Sequence, residues 1–151
     1  MGKVLLSLHV LAAIVFIGPV TVAVSLFPRY ARAPSDGATE VVRLLHRISR
    51  VYAVLGLSVP VLGIALAARL GVLGDAWVVA SLVLTIAAAL LLALVILPAQ
   101  DRLLASPAEP GAVATRLATA SRLSMASGVF SLLWAVVVVL MVVRPGSTTG
   151  V

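Results

Sequence analysis

The run Val4–Phe27, VLLSLHVLAAIVFIGPVTVAVSLF, decides the fold. It holds 24 residues with one ionisable side chain among them, His9. A helix needs about 20 residues to cross the hydrocarbon core of a bilayer. Lys3 and the small-x-small triplet Ala31-Arg32-Ala33 imitate the flanks of a secretory signal. Signal cores are only about 7–15 residues long, and Arg29 stands between the run and that triplet. The segment therefore reads as a retained first membrane helix.

Three further runs repeat the pattern: Val51–Ala68, Ala76–Leu97 and Leu123–Val143. The chain is 62% hydrophobic and 11% charged, with a mean hydropathy of +1.23. A soluble domain of 151 residues needs a polar surface, and this composition cannot supply one. The expected fold class is all-α: a four-helix transmembrane bundle, with residues 1–151 forming a single integral membrane domain. With no cysteine in the chain, disulfides, thiolate metal sites, iron–sulfur clusters and cysteine nucleophiles are excluded.

The net charge is +6, and the basic residues flank the apolar runs, which points to membrane orientation and not to nucleic acid. The connection Pro28–Arg50 carries Arg29, Arg32, Arg43, Arg47 and Arg50, and Pro98–Arg122 carries Arg102, Arg116 and Arg122. These make 8 of the 11 basic residues; Lys3, Arg69 and Arg144 belong to the other side. The positive-inside rule then makes those two loops cytoplasmic and turns both termini outward. Arg69–Asp75 becomes a tight outer turn, with Trp77 at the outer interface and Tyr30 and Tyr52 near the inner one.

After the turn cluster Ala33–Gly37, the residues Val41, Leu44, Leu45, Ile48 and Val51 recur at helical spacing. Arg43, His46, Arg47 and Arg50 fall largely on the opposite side. This predicts a short amphipathic interfacial helix before helix two, with those four residues as a basic, lipid-facing set meeting anionic headgroups. Helix contacts are expected through small residues: Gly56, Pro60, Gly63 and Ala67 on helix two, Ala120, Ser124 and Gly128 on helix four, and Ser127, Ser131 and Ala135 beside them. Pro19 and Pro60 should kink helices one and two.

His9 is the residue to which chemistry attaches, because ionisable groups at membrane depth are functional candidates by default. Its plainest reading is a neutral imidazole hydrogen-bonded to a neighbouring helix. The alternative is a ligand to haem b or to a metal. Met141 should lie near the depth of His9, and Arg69 and Arg144 at the outer edge could meet haem propionates. His46 should lie roughly 20 Å deeper along the bundle, given about 1.5 Å per residue, so the two histidines cannot share one iron. It is expected beside headgroups or the Asp101–Arg102 pair. None of the four runs contains Asp or Glu, which disfavours ion-coupled carriers.

The opening Lys3-Val4-Leu5-Leu6-Ser7-Leu8-His9-Val10-Leu11-Ala12-Ala13, with Gly18 beyond it, resembles a family of uncharacterised bacterial integral membrane proteins. Arg43–Arg50 and the segment Ile96-Leu97-Pro98-Ala99-Gln100-Asp101-Arg102 are similar to the same family. The resemblance covers nearly the whole chain and implies a fold without an activity. A looser resemblance, carried by His9 and Gly18, is to HemJ-type protoporphyrinogen oxidases and copper-resistance D proteins; it implies a haem or metal role for His9.

The resulting expectation is a small accessory or interaction protein of the bacterial inner membrane, alone, as a homo-oligomer or within a larger complex. A haem- or metal-binding redox protein is the alternative, and a small-solute channel or transporter the second one.

Overall fold

Residues 2–32, 36–105 and 110–146 are described by a computed structural model. Residues 33–35 of the turn cluster, and residues 106–109, lie outside them. Among the described residues there is no strand, and four helices are long and apolar enough to cross a membrane. They are α1 (Gly2–Arg32), α2 (Gly37–Leu70), α3 (Ala76–Ala105) and α4 (Val113–Val143).

These helices contain 30 to 34 residues, or about 45–51 Å at 1.5 Å per residue. The hydrocarbon core is only about 30 Å thick. The surplus lies at one end, because the apolar runs begin or stop well inside α1, α2, α3 and α4 on the side of the basic loops. The segment expected as a separate interfacial helix is thus the first turns of α2 itself. Val42 and Leu45 are buried there, and the segment packs along the second half of α1 and the end of α3. Its apolar stripe meets other helices as well as lipid, so the helix has no reason to stop and lie flat.

Prolines shape three of the four helices. Pro60 lies just after a break at Leu57, which separates α2 into Asp36–Gly56 and Ser58–Leu70. Pro19 and Pro98 each come two residues after a π-helical turn, Ala13–Ile17 in α1 and Leu92–Ile96 in α3. Proline offers no N–H, and its ring crowds the carbonyl four residues back. A π-turn widens the helix by one residue and relieves that crowding.

In the half that holds Gly2 and the Gly71 turn, called outer here after the expected orientation, the helices associate mainly in pairs, α1 with α2 and α3 with α4. In the inner half all four close on one core that includes Val24, Phe27, Ile96, Leu123 and Phe130. The small-residue face read on α2 is the one that meets α1: a side chain at Gly56 would touch Ile17, and one at Gly63 would touch His9. On α4, Ala120 and Ser127 are buried, whereas Ser124 and Gly128 face outward.

The outer turn closes by backbone bonds. Gly71 has φ +70 and caps α2, with its N–H reaching the carbonyls of Ala67 and Ala68. Val72 N–H then bonds the Ala67 carbonyl at 3.0 Å, the pattern of a helix ended by a left-handed residue. Asp75 begins α3, and its carboxylate accepts the indole N–H of Trp77 at 3.1 Å.

Candidate functional site

Polar side chains are sparse in this bundle, so each buried one identifies a place where the fold needs or offers something. The largest group is at the inner end, between α2 and α3. Nδ1 of His46 lies 2.9 Å from Oε1 of Gln100. Nε2 of His46 lies 3.0 Å from Oδ1 of Asp101. Gln100 Nε2 donates to Ser49 Oγ at 3.4 Å, and Ser49 donates in turn to the Leu45 carbonyl at 2.9 Å. Gln100 and Ser49 are fully buried, His46 nearly so, and Asp101 is exposed. The ring of Phe27 on α1 meets His46 edge-on, with centroids 6.5 Å apart.

The placement of His46 corrects the sequence reading. It does not share the side of Arg43, Arg47 and Arg50, which are exposed. It turns inward with Val42, Leu45 and Ser49, one helical stripe around from those arginines. The reason is Gln100: a buried amide needs partners in a dry interior, and His46 and Ser49 are the groups α2 presents to it. Asp101, expected near His46, does reach it. Gln100 is the residue that sequence reasoning missed. The available signal was an amide just past the apolar run of helix three.

A second pair of polar contacts ties α4 to α1. Pro28 cannot donate to the Val24 carbonyl, as a residue four positions on in a helix would. Ser127 of α4 donates to that carbonyl at 2.8 Å. The same hydroxyl is 2.9 Å from the carbonyl of Leu123 in its own helix. Further along, Arg116 Nε donates to the Ala31 carbonyl at 3.0 Å. That carbonyl belongs to the last turn of α1, where helix carbonyls have no helical donor and the dipole favours a cation.

His9 lies in the outer half of α1, half-buried against α2. A methyl group on Gly63 would fall 3.0 Å from Cε1 of the imidazole, so the ring rests on bare backbone. It bonds the backbone of Val59, one turn earlier. Nδ1 is shielded from the surface and has no hydrogen-bond partner among the described residues.

The other residues considered for a haem site are engaged elsewhere. Met141 packs against the cluster of Ala67, Trp77 and Val78. The Arg144 guanidinium lies over the Trp77 ring, 5.5 Å from its centroid, and its Nε donates to the Met141 carbonyl at 3.3 Å. Arg69 is exposed at the last turn of α2. No group of three or more His, Cys, Asp or Glu that could hold a metal occurs among the described residues.

Four apolar helices, basic residues gathered at one end of the bundle and an apolar core tied by a few interhelical hydrogen bonds define an integral membrane protein. The chain belongs to the family described as "Predicted integral membrane protein (DUF2269)", whose model matches residues 3–145. The function of that family is unknown. No curated protein and no solved structure matches the chain.

Proposed function

We propose that this protein is an accessory, or interaction, component of the bacterial inner membrane. It works through contact with another membrane protein, with its termini outward and its basic rim on anionic headgroups. The observation that supports this reading is the use of its polar side chains. His46, Gln100, Ser49, Ser127 and Arg116 are engaged in hydrogen bonds, most of them between one helix and another. They hold the bundle together. The outward surface is an apolar belt, interrupted on α4 by the exposed small residues Ser124, Gly128 and Ala135. Nothing lies within 4 Å of the position a Gly128 side chain would take. Small residues let a second helix approach closely in lipid, and a transmembrane helix of a partner protein suits that face.

A photo-crosslinking residue at Met125, which is 74% exposed beside this face, tests the idea in intact membranes. A discrete adduct from Met125, with none from the lipid-facing Val83 of α3, is expected. An adduct of twice the chain mass identifies the partner as a second copy. Only monomer from both positions would sink the interaction reading.

The second reading, a haem or metal role for His9, is favoured by one observation, the shielded and unpartnered Nδ1. Oxidised and reduced absorption spectra of protein purified from haem-replete cells decide it. A Soret band that disappears in His9→Ala puts the redox reading first. A colourless, metal-free preparation leaves His9 as a packing and hydrogen-bonding residue.

A further inference from the structure

His46 is the titratable side chain that is buried among the described residues. The direction of its hydrogen bonds follows from its neighbours. The series starts at the Leu45 carbonyl, which can only accept. Ser49 gives it the hydroxyl hydrogen at 2.9 Å. The lone pairs of Ser49 Oγ then accept from Gln100 Nε2 at 3.4 Å. This turns the amide oxygen of Gln100, an acceptor, toward His46 Nδ1 at 2.9 Å. Nδ1 must therefore carry a hydrogen. Turning the amide over would set its oxygen against Ser49 Oγ and force Ser49 off the Leu45 carbonyl. Ser49 and Gln100 are both fully buried, so no water is at hand to make up the loss.

The other ring nitrogen, Nε2, faces Asp101 Oδ1 at 3.0 Å. An ionised carboxylate also only accepts. An acceptor on each nitrogen fits a doubly protonated His46, but the two hydrogens are held differently. The one on Nδ1 goes to a buried amide of fixed direction. The one on Nε2 goes to a side chain that is 60% exposed, where water can receive it. Once it is lost, a ring lone pair and a carboxylate oxygen oppose each other with no hydrogen between them, and Asp101 has to leave. The surroundings leave that choice to these groups. From α3 the ring faces Asp101, and from α1 the uncharged ring of Phe27. Arg43, Arg47 and Arg50 on α2 itself, Arg102 on α3 and Arg29 on α1 are exposed. On α4, Arg116 reaches the Ala31 carbonyl.

We propose that His46 is a proton-operated latch between α2 and α3. With the proton on Nε2, Asp101 is held by a charge-assisted bond, roughly twice as strong as a neutral one. Without it, Gln100 keeps the remaining hydrogen on Nδ1 and Asp101 swings into solvent. Gln100 is the positioning residue, because it decides which nitrogen gives up its proton. Histidine changes charge between about pH 5 and 8, so the latch answers to ordinary changes in acidity. On the proposed orientation, those are changes in the cytoplasm. The latch does not depend on the interaction reading of α4.

The test uses the full chain in lipid nanodiscs, with histidine rings labelled with nitrogen-15 and aspartate carboxyls with carbon-13. The two histidines are told apart by the signals lost in His9→Ala. Across about pH 5 to 8, both His46 nitrogens should be protonated at the acid end. As the pH rises, Nε2 alone should lose its hydrogen, leaving the Nδ1–H form. The Asp101 carboxyl signal should shift with the same midpoint. Asp101→Asn places an amide beside Nε2 that can give a hydrogen to the bare nitrogen, so the His46 midpoint should fall. A neutral ring with its hydrogen on Nε2 would overturn the proposal. So would an Asp101 signal that ignores the His46 titration, or a His46 ring in one charge state throughout. The parent chain decides all three, so the outcome does not hang on how a variant folds.

Discussion

At the scale of single residues, the backbone faults of one helix are repaired by the side chains of another. Pro28 leaves the Val24 carbonyl without its helical donor, and Ser127 supplies one from α4. Interhelical hydrogen bonds in membrane proteins average about 0.6 kcal/mol, with a maximum near 1.7. Ser127→Ala should therefore destabilise the bundle by about 1 kcal/mol. The same substitution in a Pro28→Ala background should be close to neutral, since residue 28 then donates to Val24 itself. Thermal unfolding in mild detergent, run as a double-mutant cycle, checks this; equal losses in both backgrounds would mean that the bond is not repairing the proline. Gly63 offers a second case. Gly63→Ala places a methyl group 3.0 Å from the His9 ring, and overpacking of this kind costs about 1–3 kcal/mol. Truncating the ring removes the clash, so Gly63→Ala should be better tolerated beside His9→Ala than alone. A melting temperature that falls further in the double variant than in either single one would contradict the packing.

At the scale of elements, the sequence revealed the helices by hydropathy and missed their ends for the same reason. A bilayer-length apolar run announces itself, and Val4–Phe27 was readable without any neighbour. The inner extensions are half polar, and their helicity depends on one another: α2 begins as helix because α1 and α3 are there to cover Val42, Leu45 and Ser49. His46 illustrates the limit. Its spacing from Arg43, Arg47 and Arg50 looks like a solvated stripe, and only Gln100, 54 positions away, turns it inward. That His9 would bond a neighbouring helix was legible, because a membrane histidine needs a partner; that the neighbour is the Gly63 face of α2 was not, since nothing in a single sequence pairs those two positions. The π-turns were not, although the prolines that accompany them were. The inner cluster gives the element-scale prediction. Gln100→Leu keeps the volume and removes the amide's oxygen and nitrogen together, leaving His46 Nδ1 and Ser49 short of a partner. A buried group stripped of its bond costs about 1–3 kcal/mol, and the loss should fall on one place. Hydrogen exchange should rise in the first turns of α2 and the last turns of α3, while the outer turn at Gly71 stays protected. Uniform loosening, or none, would show that the cluster does not join α2 to α3.

At the scale of the whole molecule, helix length and charge define where the bundle sits. Each helix carries one exposed arginine near the point where its apolar run gives way: Arg29, Arg50, Arg102 and Arg122. Counted from the outer ends, they lie about 30–40 Å inward. If those ends mark the outer edge of a core about 30 Å thick, the four side chains reach the inner headgroup layer. Arginine snorkels readily to phosphate at that depth. The rest of the basic rim, including Arg43, Arg47 and Arg116, lies about 35–40 Å inward by the same count, in the same layer. On the proposed orientation this arrangement would both anchor the bundle and orient it, because short loops rich in arginine are retained on the cytoplasmic side. The absence of cysteine from the chain makes orientation easy to measure. Gly2 and Gly37 both have open space at the Cβ position, so Gly2→Cys and Gly37→Cys should fold as the parent does. In spheroplasts, a membrane-impermeant maleimide should label Gly2→Cys at once and Gly37→Cys only after permeabilisation. Replacing the four belt arginines by glutamine leaves four of the eight inner basic residues against three on the outer side. The bias that fixes topology then nearly vanishes, and both positions should be labelled in part of the population. Labelling of Gly37→Cys in spheroplasts carrying all four arginines would reverse the orientation and, with it, the face of the membrane on which the His46–Gln100 cluster lies.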